Sequence, residues 1–117
     1  MTEKEINMSL TFTTSTPQQL LTSFKKAIDD KHVVTWSYDK EGDFTHTPDQ
    51  WAKKAWMRPV VLNGQLIFKI VAPEGKAVSW GVYGVYHGRL AESFIDHLHD
   101  KFETAVASAR PTSVDVL

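Results

Sequence analysis

The side chains best suited to chemistry gather in the last third of this sequence. Glu92, Asp96, His99 and Glu103 are spaced four, three and four residues apart, so a helix would carry them on one face. Imidazole and carboxylate groups at that spacing can hold a divalent cation. Asp96, His99 and Glu103 would be its nucleus, with His46 or His87 completing the shell. The same stripe is also what the solvated side of an amphipathic helix looks like, and the tighter H-E-x-x-H pattern of metal-binding helices is absent. A solvated face is therefore the expectation, with no metal and no other cofactor.

A second concentration of polar chemistry is Tyr86-His87-Gly88-Arg89, which periodicity places where a strand gives way to a helix. Backbone N–H groups at a helix start, together with Arg89, could hold a phosphate or carboxylate, and His87 could exchange a proton there. A cation sits poorly at the positive end of a helix, so Arg89 in that position argues for an anionic neighbour. No nucleophile elbow or Walker motif accompanies this stretch. Gly81, Gly84 and Gly88 lie in a β-rich run rather than between the first strand and helix of a βαβ unit, so they are no dinucleotide fingerprint. No catalytic residue is assigned.

The third feature is aromatic. Four Trp, three Tyr and six Phe among 117 residues is a rich supply. Phe68, Trp80 and Phe94 are expected in the core, which needs large side chains in a small protein. Trp56, Arg58 and Lys69 fall on the wetter face of a hairpin, and Tyr83 and His87 on the wetter face of the strand after it. An aromatic and cationic sheet face suits the binding of another protein.

The elements that would position these groups follow from hydrophobic period. Ile6, Met8, Leu10 and Phe12 alternate with polar residues as in a half-buried strand. Thr16-Pro17-Gln18-Gln19 is helix-start grammar, and Leu20, Leu21, Phe24, Ala27 and Ile28 continue it, predicting a helix over 17–31. Val34, Trp36 and Tyr38 predict a strand that turns at 39–43 and returns at 44–47. Thr47-Pro48 predicts a short helix over 48–55. Asn63-Gly64 predicts a type I′ hairpin of 57–62 with 65–72, pairing Leu62 with Gln65 and Met57 with Ile70. Pro59 has no N–H, so its strand must lie at an edge or turn that position outward. A last strand is predicted over 77–87 and a long helix over 89–109, with Leu90, Phe94, Leu98 and Phe102 buried. The class is α+β: an antiparallel sheet of five or six strands with an N-terminal and a long C-terminal helix on one face.

Composition bounds the rest. The length suits one domain over 1–117, with 1–5 and 110–117 as flexible tails. Thirteen basic and fourteen acidic residues give a net charge of −1, against the basic footprint of a nucleic-acid binder. With no cysteine, disulfide scaffolds, zinc fingers and thiol catalysis are excluded. No apolar run reaches the ~20 residues of a membrane span, and the polar start is unlike a signal peptide, so a cytoplasmic protein is expected. The reading is a non-enzymatic binding or accessory domain that engages a protein partner through the aromatic and cationic face, with Arg89 beside it. The alternative is a domain with an apolar pocket between sheet and C-terminal helix. It would take a small apolar or anionic ligand, with hydrolase-like chemistry at the His87/Arg89 mouth. The same sheet face could also pair two copies of the chain.

Overall fold

The structure, a computed structural model, describes residues 10–109. The strand expected from Ile6 is therefore seen from Leu10 onward. Ile6, Met8 and the tails at 1–5 and 110–117 lie outside the described residues.

Strand β1 (Leu10–Thr13) leads into helix α1 (Pro17–Asp29). Pro17 takes the first helical position, where its missing N–H costs nothing. Thr16 does not cap the helix with its side chain; Thr14 Oγ1 instead accepts from the Thr16 N–H at 3.1 Å. The helix ends at Asp29, two residues sooner than its pattern predicts, because Lys31 turns left-handed at φ 65°. Strands β2 (Trp36–Tyr38) and β3 (Phe44–His46) form the first hairpin. Its loop is shaped by Asp39 Oδ1, which accepts from the N–H groups of Glu41 and Asp43 at 3.0 Å each. The short helix expected over 48–55 is instead a set of turns, closed by Trp51 N–H and Ala52 N–H on the Pro48 carbonyl.

Strands β4 (Trp56–Leu62) and β5 (Gln65–Val71) pair in the register that Asn63-Gly64 dictates, from Leu62 opposite Gln65 to Met57 opposite Ile70. Gly64 supplies the left-handed turn at φ 80°. Counting back from that turn, Pro59 and Phe68 form a pair that exchanges no ladder hydrogen bonds. The absent N–H of Pro59 therefore points away from β5. It lies past the reach of β3, whose pairing with β4 is confined to Phe44 and Met57.

The last third departs from the sequence reading. Residues 80–87 are not a strand but the first half of helix α2 (Trp80–Leu98). Ser79 caps it, its hydroxyl accepting from Val82 N–H at 3.2 Å. Val78, Trp80, Val82 and Tyr86 fit a period of two. Val82, Tyr83, Tyr86, His87 and Leu90 equally fit the helical stripe that continues to Phe94 and Leu98, and these are the buried residues. The longer stripe wins because it joins one continuous core. Trp80, placed in the core by the strand reading, is 66% exposed at the helix start. Nor does the helix run to 109. It gives way to a 3-10 turn (His99–Lys101), and β6 (Thr104–Ala107) then pairs with β1. Glu103 N–H on the Thr13 carbonyl and Thr14 Oγ1–H on the Lys101 carbonyl, both side by side, start that pairing.

All six strands are antiparallel, in the order β2-β3-β4-β5-β1-β6. Both helices lie on one face. Phe94 of α2 stacks on Phe12 of β1 with centroids 4.2 Å apart, and Phe24 of α1 meets Phe94 at 4.4 Å and Phe44 of β3 at 5.3 Å. Phe68 of β5 closes the group edge-on to Phe12, Phe44 and Phe94. These fully buried rings occupy the space between sheet and α2 where the alternative reading places an apolar pocket.

Candidate functional site

Two places on this frame gather the residues considered for function. The first is the sheet face turned away from the helices. Alternation along β4 sends Met57 to the core and Trp56, Arg58, Val60 and Leu62 to the other side. Register then aligns Val60, Ile67, Thr11 and Val106 in one row across four strands. Arg58 stands opposite Lys69, and Trp56 opposite Val71. Arg58 is held by Asp43 through two bonds, Nε to Oδ1 at 3.1 Å and Nη2 to Oδ2 at 2.9 Å, and this partner raises its pKa further. Lys69 makes no ion pair among the described residues.

Trp56, Arg58 and Lys69 thus come together as expected. Tyr83 and His87 do not join them. They lie one turn apart on α2, each 4% exposed, with rings stacked at 3.9 Å. The Tyr83 hydroxyl meets Ser108 Oγ at 2.8 Å, and His87 Nδ1 meets the Tyr83 carbonyl at 2.8 Å. The correction follows from the helix: a period of two would put them on the sheet, and a period of 3.6 turns them inward.

Arg89 sits in the middle of α2 rather than at its start, so no unfavourable dipole acts on it. It bonds Glu92 at 3.0 Å. The stripe weighed as a metal nucleus is not on one helix face. Asp96 is exposed beside His97, His99 lies in the 3-10 turn with Nδ1 on the Ile95 carbonyl, and Glu103 lies beyond the helix. Among the described residues, the three carboxylates that do converge are Asp39, Glu41 and Asp43. Asp39 accepts from backbone N–H groups and Asp43 from Arg58, and these bonds account for the loop.

The second place is a cleft of about 270 Å³ between the loop after β3 and the outer side of α2. His46 lies at its base, 4% exposed, with Arg89, Glu92, Ser93, Gln50 and Trp51 around it. The ring is fixed on three sides. Nδ1 is 2.7 Å from the Thr35 carbonyl, Trp36 lies against it at 4.7 Å, and Tyr86 meets it edge-on at 6.1 Å. Tyr86 ties the wall together, its hydroxyl reaching both Thr45 Oγ1 at 3.0 Å and the Trp51 carbonyl. Burial pushes the His46 pKa below the ordinary imidazole value. The Thr35 bond opposes this, Arg89 adds to it and Glu92 subtracts. A carbonyl can only accept, so the neutral ring carries its proton on Nδ1 and presents Nε2 as an acceptor.

Arg89 therefore meets a histidine, but it is His46 rather than His87. Nothing local in the sequence joins these two, since β3 and α2 are brought together by the topology alone.

Comparison of the chain with protein-family models, with curated proteins and with solved structures returned no match. Among the described residues, no helix is long and apolar enough to cross a membrane.

Proposed function

We propose that this chain is a non-enzymatic binding domain that engages another protein through the helix-free face of its sheet. The observation that carries this reading is the row Val60–Ile67–Thr11–Val106 across four strands, apolar at all but Thr11, buried at Ile67 and exposed at Val106, and flanked by Arg58, Lys69 and Trp56. An apolar centre with a charged, aromatic margin is the anatomy of a protein interface. Lys69 has no ion-pair partner among the described residues, and Arg58 is 46% exposed at its side chain. A partner with an acidic rim would complement both. Tyr83 and His87 belong to the core in this reading and take no part.

The experiment is affinity capture from the source cells with tagged wild type, W56A, K69E, and a control on the opposite side, T22E on exposed α1. A specific partner retained by wild type and T22E but lost by W56A and K69E supports the reading. Equal retention by all four removes the face from the account. A wild-type chain that sediments as a dimer, broken by K69E, would replace the foreign partner with a second copy.

A further inference from the structure

We propose that the cleft above His46 is a binding site for a small zwitterion of the α-amino acid class, independent of the sheet face. The starting point is the histidine. It is 4% exposed, and its Nδ1 is committed to Thr35. Its Nε2 has no hydrogen-bond partner among the described residues, yet is not among the atoms sealed from solvent without one. An acceptor so placed faces the cleft that His46 lines.

Charge narrows the ligand. Arg89 and Glu92 stand on adjacent turns of α2 at the cleft wall, one of each sign. A simple anion suits Arg89 but meets Glu92, and a simple cation meets the reverse conflict. A molecule with both groups satisfies both: its carboxylate pairs with Arg89, and its ammonium donates to Glu92 and to His46 Nε2. The existing Arg89–Glu92 bond is an exposed pair, 58% and 64% accessible at the two side chains, so opening it costs little. Trp51 and Pro48 offer an apolar wall for the ligand's side chain. The volume of about 270 Å³ lies just under the ~300–1,000 Å³ range of drug-sized pockets, which limits the ligand to about one amino acid.

The test follows the His46 ring by NMR in isotopically labelled, full-length protein. The proteinogenic amino acids are added at millimolar concentration, first as a mixture and then singly. For any that acts, the N-acetyl derivative (anion only) and the amide (cation only) follow. The expected result is saturable movement of the His46 ring signals with a free amino acid, and binding about tenfold weaker for each derivative. R89Q and E92Q, both at exposed positions, should each weaken binding by about the same factor while the rest of the spectrum keeps its dispersion. Three results overturn the proposal: no amino acid moves the His46 signals, the N-acetyl derivative binds as well as the free form, or R89Q and E92Q bind like wild type.

Discussion

Gly84 and Gly88 offer a sharp test of the helix that replaces the expected strand. Both lie on the exposed side of α2, neither has a left-handed φ, and a Cβ added at either meets nothing within 4 Å. In a helix interior, glycine is less favourable than alanine by roughly 0.5–1 kcal/mol, because more backbone freedom is lost on folding. G84A and G88A should therefore each stabilise by about that amount, and the double variant by roughly 1–2 kcal/mol. At this chain length that is a rise of very roughly 5–10 °C in Tm. Gly64 is the control. A Cβ there also has open space, but its φ is +80°. G64A should destabilise by about 1–2 kcal/mol, since L-residues resist the left-handed region. Equal space with opposite sign isolates the backbone as the cause. Urea unfolding followed by tryptophan fluorescence reads all of these variants. If G84A or G88A lowered the midpoint, as alanine does in a bulged strand, the assignment of 80–88 to a helix would be refuted.

Other consequences are open to the same measurement. Y86F removes a hydroxyl that bonds Thr45 and the Trp51 carbonyl; it should cost about 1–3 kcal/mol, seen as a lower urea midpoint at unchanged slope. R58M leaves the nearly buried Asp43 carboxylate, 9% exposed at its side chain, without its two bonds; a loss of about 1–3 kcal/mol is expected, and recovery in D43N/R58M would locate the cost in the stranded charge. The lowered pKa of His46 fixes the sign of a pH effect. As pH falls, the unfolded chain binds this proton before the folded chain does. The contribution is whole above the ordinary value of about 6.5 and is lost as the pH falls toward the folded-state pKa. H46Q should therefore lose less stability than wild type between about pH 7.5 and about pH 5.

Legibility of the fold varied with how local the determining physics is. The β4–β5 hairpin was readable to the residue because Asn63-Gly64 sets turn and register together. Helix α1 was readable because Pro17 and the Leu20–Phe24 stripe agree. Within 77–109 the helix is as its stripe predicts over 89–98, and the two ends differ for opposite reasons. Three glycines and several β-branched or aromatic residues made a helix look like a strand, and Ala105 to Ala107 made an edge strand look like a helix tail. In both cases packing overrode propensity: Tyr83, Tyr86 and His87 are drawn into the core by the helical period, and β6 is held by its ladder to β1. The placement of Trp56, Arg58 and Lys69 on one sheet face follows from the same hairpin register. The pairing of His46 with Arg89 was out of reach, because it depends on a contact between β3 and α2 that no local pattern encodes.

The central claim is that the helix-free sheet face meets a partner. A photo-crosslinking amino acid placed at Lys69 or Val106 tests it in living cells, against the same group at Thr22 or Lys26 on exposed α1. One discrete crosslinked product from both sheet positions, and none from the helix positions, is the expected result. No product from the sheet face, or the same products from both sides, would contradict the claim.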